Sequence, residues 1–466
     1  MDKINNKKRV IVFLPSSLID AFEVVLARAC DLKDLGFEVI VSFCNGKIRG
    51  CPSNPHGLSS LCSFCEKNTK KALSKTLPSA CIETSELVQT KNKISIETQQ
   101  PKNLAARSTI LTFYRKDTDR LNSNYINNLY IKKIFKKFIK YEISTYVYTK
   151  RLIEKLKPDR VEIYNGRITP SMSIMNAAKD SGIEFYLIDQ LGYYKNIFIS
   201  KNIEMHAIDN FKEEIRNFNP SLEDFTNGID FFKKKRSGVS TDARSFTNRH
   251  IIGLFKKTNK KFIAIFLSSN DEVEAYGDNW FTNASKDPVK FIISLRGYLS
   301  ELYQIIVRMH PNQSGDKTGS TQKIINELKN LQGIDVIQPN EKNSSYELID
   351  LASVVITFGS TIGVEATYWG KTCILAGRAI WEDEKIAYYV DSSNEAFNLI
   401  ISNPHALDKI GAVKVAAYIM KYRKTSVNLE YNRVDQLFYL KGLNFSSKRR
   451  GNLSFRLNQI IENFFS

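Results

Sequence analysis

The rhythm of apolar and polar positions changes several times along the chain, and each change predicts an element. "RVIVFLP", at residues 9–15, is a continuous apolar run closed by proline, the pattern of a buried strand. "SLIDAFEVVLARACDLKDLG" reads as a helix ended by glycine and "FEVIVSFC" as the next strand, so the chain opens as a βαβ unit of a parallel sheet. From about residue 45 to 128 the periodicity fades into polar runs such as "ETQQPKNLAARS", which predicts an insertion containing some helix. It returns in a long helix from about Asn128 to Lys157, the strand "DRVEIYNGR", a helix over Ser171 to Ser181 and the strand "IEFYLIDQLG".

Residues 211–260 are charged and irregular, with helix expected around Ile229 to Lys235, and read as an inter-domain region. A second alternating series starts at "KKFIAIFLSSNDE". Strands "QIIVRMHPN", "IDVIQP", "VVITFGS" and "TCILAG" alternate with helices at Asp287 to Glu301, Lys323 to Asn330, Ser345 to Ala352 and Gly363 to Trp369. The fold expected is α/β, with two Rossmann-like domains facing a cleft. Residues 1–250 would form the first, with its insertion at about 45–128, and residues 251–415 the second. A helical tail, 416–466, would pack back on the first. At 466 residues the chain exceeds one typical domain, in keeping with that division.

The loops leaving the second series carry polar groups at their strands' carboxyl ends: Ser268 and Ser269, His310 with Asn312, Ser344 with Ser345, and Ser360 with Thr361. Ligands of open α/β sheets bind outside those ends. In "VVITFGSTIGVEATYWGK" a strand breaks at Gly359 and resumes as a helix, which offers first-turn N–H groups and the positive dipole end to a phosphate. Ser360 and Thr361 would add hydroxyls. Glu365, one turn deeper, would take the hydroxyls of a ribose. An ordinary capped helix would use the same residue types.

Composition narrows the partners. Hydrophobic residues make up 42% and charged residues 25%, which excludes a disordered chain. The net charge of +18 calls for an anionic partner, a nucleotide or the inner leaflet of a membrane. "YIKKIFKKFIKY" and "SSKRRGNLSFRLNQIIENFF" are basic amphipathic stretches that suit either a lipid surface or a solvated helix packed on its own domain. No nucleic-acid reading module is present, so nucleic acid is not an expected partner. The first apolar run is too short for a signal peptide and no run approaches the roughly 20 residues of a membrane span. The expected location is the cytoplasm, at the inner face of the plasma membrane.

"RMHPN" followed by "SSYELIDLASVVITFGSTIGVEATYWGK" resembles the C-terminal domain of bacterial capsule and surface-polysaccharide glycosyltransferases of the GT-B type. Related patterns occur in teichoic-acid polyol-phosphate transferases and nucleotide-sugar 2-epimerases. "YNGR", at Tyr164 to Arg167, is similar to the N-terminal domain of the capsule group. The specific likeness covers about a quarter of the chain, concentrated in Phe262 to Gly377. It implies transfer of a sugar from a nucleotide-sugar donor to a glycan or lipid-linked acceptor in capsule or O-antigen (lipopolysaccharide) synthesis, without a catalytic metal. By position it implies that Ser360 and Thr361 hold the donor phosphate, Glu365 the ribose, and that His310 sits near the phosphate or the leaving oxygen. Its acidic base is not clearly matched: Asp20, Glu23 and Asp189 stand as alternatives, and Asn165 and Arg167 would position the acceptor or a donor phosphate. A CDP-polyol phosphotransferase shares the phosphate logic. The Gly-Thr-Arg-Pro-Glu opening of the epimerases is replaced by "FLPSSLIDAFE".

Cys44, Cys51, Cys62 and Cys65 form C-x6-C-x10-C-x2-C in the loop after the second strand. Four thiols so close in an intracellular chain suit a structural metal, zinc or an iron–sulfur centre, with His56 able to replace one ligand; the alternative is four thiols in a loop. A metal-stabilised scaffold of a polysaccharide assembly complex is the non-enzymatic reading. Cys30, Cys81 and Cys373 lie in apolar surroundings and read as packing residues.

Overall fold

A computed structural model describes residues 7–19, 21–48, 50–84, 99–114, 129–190, 196–205, 207–238, 250–255, 259–268, 276, 280–315, 320–432 and 437–445. The chain forms two compact units, residues 1–114, 118–205 and 423–466 in the first, 115–117 and 206–422 in the second.

The first unit runs β1 (Arg9–Phe13), α1 (Ala21–Asp34), β2 (Glu38–Phe43), α2 (Ser59–Thr76), β3 (Cys81–Thr84), α3 (Gln99–Tyr114), α4 (Leu129–Leu156), β4 (Arg160–Tyr164), α5 (Ser171–Lys179), β5 (Glu184–Gln190) and β6 (Asn196–Lys201). Its described sheet has the order β13-β6-β5-β4-β1-β2-β3, with β13 (Arg423–Thr425) returning from the far end of the chain. From β3 to β5 every pair is parallel; β6 and β13 add antiparallel strands at one edge. β3 pairs with β2, so the stretch read as an insertion supplies a strand of the main sheet.

α1 is buried on nearly every face. A helix apolar all round needs cover on both sides. The sheet supplies one, and the hairpin of β14 (Leu429–Asn432) and β15 (Leu437–Leu440) the other, through Leu429, Phe438 and Leu440. The described part of the expected helical tail, after Tyr422, is therefore strand. Residues 446–466 lie outside the described residues. In α4, Ile134 and Phe138 bury against Ala106 and Ile110 of α3, while Lys133, Lys136 and Lys140 stay exposed. Its apolar face is thus filled from within the unit, and among the described residues no helix is long and apolar enough to cross a membrane.

The second unit starts with α6 (Ile208–Asn217) and α7 (Leu222–Arg236); the helix expected around Ile229 to Lys235 is the second half of α7, and the rest of that stretch is more helical than the sequence suggested. Ser221 and Asp224 form a capping box that starts α7, worth about 1 kcal/mol. β7 (Lys261–Phe266), α8 (Asn283–Lys286), α9 (Pro288–Tyr298), β8 (Tyr303–Arg308), α10 (Ser320–Lys329), β9 (Ile334–Ile337), α11 (Ser345–Leu351), β10 (Ala352–Thr357), α12 (Ile362–Tyr368), β11 (Thr372–Leu375), β12 (Tyr388–Tyr389), α13 (Ser393–Ser402) and α14 (Ile410–Lys421) follow. The sheet order is β12-β11-β10-β7-β8-β9 and every pair is parallel.

α6 and α7 belong to this unit because they pack on α14. Phe218 meets the Tyr418 ring edge-on at 5.8 Å, and Lys421 pairs with Asp224 at 2.9 Å. The boundary consequently falls at 205/206, not near 250. At the α7–α14 crossing, a Cβ on Gly228 would lie 2.7 Å from the Val413 carbonyl oxygen and 3.0 Å from the Ala417 nitrogen. Backbone cannot give way as a flexible side chain does, so Gly228→Ala should cost about 1–3 kcal/mol, read as a lowered unfolding midpoint. An unchanged midpoint would show that the helices separate freely.

Candidate functional site

Because all six strands of the second sheet are parallel, their carboxyl ends share one edge. β7 lies between β8 and β10, so the loops that leave β8 and β10 start about 10 Å apart with the β7 exit between them. This brings Ser268, His310 with Asn312, and Ser360 with Thr361 to neighbouring strand ends. Ser345, in the first turn of α11, follows the edge strand β9. Ser269 lies outside the described residues.

His310 follows β8 and is half-buried. The Asn312 backbone N–H donates to its Nδ1 at 3.2 Å, and its own N–H donates to the Gln313 side-chain oxygen at 3.1 Å. An accepting Nδ1 puts the proton of the neutral ring on Nε2, so the imidazole presents a donor from a fixed ring plane. The Ser268 hydroxyl oxygen, at the exit of the central strand, is buried with no hydrogen-bond partner among the described residues.

The β10 exit is held by its own bonds. The Ser360 N–H donates to Thr357 Oγ1 at 3.0 Å, and the Ser360 carbonyl accepts from the Gly363 N–H at 3.1 Å. Thr361 is exposed and Ser360 half-buried. Gly359 has φ +116°, and a Cβ there would lie 2.3 Å from the Arg378 carbonyl oxygen. Its role is this close approach of two strand-exit loops, which no other residue permits.

Glu365 corrects the sequence reading. It is 3% exposed and both carboxylate oxygens are engaged: Lys235 of α7 donates to one at 2.7 Å, and the Tyr346 hydroxyl of α11 to the other. Around the pair, Tyr368 stacks on Phe232 at 3.9 Å and the Arg236 guanidinium lies over Trp369 at 4.5 Å. The acid expected at a ribose instead ties three helices together beneath the edge.

Two groups at this edge were not singled out from the sequence. Arg308 ends β8, is 4% exposed, and donates to the carbonyls of Gln338 at 3.2 Å and Glu341 at 3.1 Å. A strap at residues 250–253, held by the Ile251 N–H to Lys342 carbonyl bond at 2.7 Å and by the Gly253 N–H to Glu347, brings in His250. Neither His250 nitrogen has a hydrogen-bond partner among the described residues. Burial, then the Arg308 charge, pushes its pKa from 6.5 down to about 4. A guanidinium placed at the end of an apolar strand, in "IIVRMHPN", was the available signal for Arg308.

In the first unit, Asn165, with φ +59°, donates to Asp189 at 2.9 Å. Arg167 is drawn to α3, where it donates to Ser108 at 3.2 Å and Thr112 at 3.0 Å. Glu23 is buried in α1 and Asp20 lies outside the described residues. Cys44, Cys51, Cys62 and Cys65 line one cavity, and none is in a disulfide. Cys30 and Cys373 are buried alone in apolar packing, which pushes their thiols up to about 11 and about 12.

No family model and no curated protein matches the sequence. Among solved structures, the chain is similar to a KpsC β-Kdo 2,4 transferase from Thermosulfurimonas dismutans, at 11% identity and TM-score 0.41 over 64% of this chain and 88% of that one. It is also similar to the Methanocaldococcus jannaschii UDP-GlcNAc 2-epimerase in complex with UDP-GlcNAc and UDP, at 12% identity and TM-score 0.33 over 89% and 99%. A glycotransferase of kitacinnamycin matches at 11% identity and TM-score 0.28 over 97% and 99%. These likenesses are remote, and the functional reading stands on the chain's own residues.

Two outcomes test the geometry. Lys235→Ala leaves a buried carboxylate without its cation and should destabilise the protein by about 3–5 kcal/mol in denaturant titration, with Glu365→Gln milder. His250 is held neutral, so between pH 6.5 and about 4 the unfolded chain binds the extra proton, and stability falls as pH drops through that window. His250→Gln should flatten that part of the stability profile; an identical profile would remove His250 as its source.

Proposed function

We propose that the protein is a glycosyltransferase that moves a sugar from a nucleotide-sugar donor to a glycan or lipid-linked acceptor in bacterial surface-polysaccharide synthesis. The observation that carries this reading is the convergence of Ser268, His310 and Ser360 on adjacent carboxyl ends of an all-parallel sheet. The sequence resemblance around "RMHPN" and "FGSTIGVEATYWG" supplies the donor class.

In this reading the nucleotide lies across the exits of β7, β8 and β10. As the glycosidic bond breaks, negative charge grows on the leaving phosphate oxygen. The Nε2–H of His310 donates to that oxygen, and the hydroxyls of Ser268 and Ser360 bind the remaining phosphate oxygens. Such donors act when already oriented, and the Asn312 bond to Nδ1 provides that orientation. Removing one donor of this kind lowers turnover about 100- to 1000-fold. Protein groups thus neutralise the phosphate without a catalytic metal ion. Asp189, held by Asn165, is the described acid at a strand exit of the first unit and the proposed base for the acceptor hydroxyl.

Thermal shift with UDP, GDP, CMP and CDP should reveal one nucleotide that raises the unfolding midpoint, since a ligand of the native state stabilises it. His310→Ala should leave the midpoint of the free protein unchanged and lower transfer by about 100-fold or more. Transfer undiminished in His310→Ala would reject the assignment, and no shift with any nucleotide would favour a scaffold. The exposed lysines of α4 extend the proposal to electrostatic attachment at an anionic membrane. Flotation with anionic vesicles should then weaken as salt is raised.

A further inference from the structure

The cysteine cavity lies in the first unit, outside the carboxyl ends of β1, β2 and β4, and has a volume of about 100 Å3. Three separate pieces of backbone bring thiols to its wall. Cys44 is the first residue after β2. Cys51 sits on a turn closed by the Asn54 N–H to Cys51 carbonyl bond at 2.9 Å. Cys62 and Cys65 lie one turn apart near the start of α2, and so on one face of it. The space is several times that of a single water.

The sulfurs are also provided with donors. The Gly46 N–H lies 3.4 Å from Cys44 Sγ, and Asn54 Nδ2 lies 3.2 Å from Cys62 Sγ. The Ser16 hydroxyl lies 3.4 Å from Cys65 Sγ, a contact in which either group can donate, and the Ser17 hydroxyl is shared between the Cys65 carbonyl at 3.1 Å and Cys65 Sγ at 3.4 Å, while the Cys44 thiol donates to the Ile48 carbonyl at 3.9 Å. A neutral thiol is a weak acceptor, whereas N–H and O–H groups aimed at sulfur are the outer shell that metal-bound thiolates take. The loop between Cys51 and α2 is fixed as well. Asn54 bonds to Leu58 in both directions, at 2.8 and 2.9 Å, and Lys137 of α4 donates to the Pro55 carbonyl at 3.3 Å.

Among the described residues, no three His, Cys, Asp or Glu side chains are grouped so as to hold a single metal ion. A tetrahedral zinc requires four ligand atoms about 2.0–2.3 Å from one point. The four thiols line one cavity, and a polynuclear core, in which each iron reaches out to one cysteine, would be held from several points of such a wall.

We propose that Cys44, Cys51, Cys62 and Cys65 hold a structural iron–sulfur cluster of the 4Fe–4S type. On assembly each thiol releases its proton and its sulfur donates an electron pair to one iron; two ferrous ions, two ferric ions and four sulfides are supplied from outside the chain, so no electron is gained or lost. The cluster has no electron-transfer role in this proposal. It ties the exits of β1 and β2 to α2, and thereby shapes the mouth of the first sheet. This is independent of the proposed transfer reaction, because its readout is metal and not product.

The test is full-length protein purified without oxygen and analysed for iron, acid-labile sulfide and zinc. About four iron and four sulfide per chain are expected, with the broad visible absorption of thiolate-bound iron. Cys51→Ala and Cys62→Ser should lose that absorption, while Cys373→Ser keeps it. Should the variants fail to fold, the wild-type chain decides alone, stripped with a chelator under reducing conditions and reconstituted with ferrous iron, ferric iron and sulfide. One zinc per chain without iron, or no iron uptake on reconstitution, would overturn the cluster.

Discussion

Parallel pairing of β7 with β8 on one side and β10 on the other buries both faces of the second sheet in apolar side chains. Ile263, Ile265, Ile305 and Ile356 contribute to one face, and Ala264, Phe266, Ile306 and Val355 to the other. Strands enclosed in this way offer few solvent-facing positions along their length, Lys261 and Ser353 near their starts among them, so polar side chains collect where the strands end. Parallel direction then puts every exit on the same side. Ser268, His310 and Ser360 are neighbours for this reason, although about ninety residues separate the first from the last. The Gly359–Arg378 approach brings the β10 and β11 exits into close backbone contact.

The order of the elements in the second unit was readable because each strand is a β-branched run bounded by Pro, Gly or Ser, and each helix has an apolar period. His310, Ser268 and Ser360 were readable for the same reason: polar residues directly after such runs. Glu365 was misread because sequence spacing measures distance along α12 and cannot show which neighbouring helix its carboxylate meets. α2 escaped notice because its buried positions include Asn68, Thr69 and Thr76 beside Leu61 and Leu73, so the apolar period is diluted. Of α7 only the second half was legible, around Ile229 to Lys235, because the helix buries only Gly228 and Phe232 among its described side chains. There the close approach of backbone replaces the usual stripe of large side chains.

The two units handle charge differently. In the second, Lys212 bridges Glu382 and Asp383, Arg378 bridges Glu382 and Asp209, and Lys235 meets Glu365, so cations are spent on joining helices to loops. In the first, Glu162 is fully buried between Arg28 and Arg160, while the lysines of α4 face outward. The excess of positive charge is thus partly displayed on a helix whose greasy side is already covered, which separates attraction to an anionic surface from insertion into it.

The hairpin that covers α1 comes from residues synthesised after the whole second unit. β13 likewise completes the edge of the first sheet by pairing with β6. On the ribosome, residues 206–422 therefore have all their partners before the first unit has the last of its own. Until Leu429, Phe438 and Leu440 emerge, one apolar side of α1 stays wet. The early-made half of this protein is the late one to close.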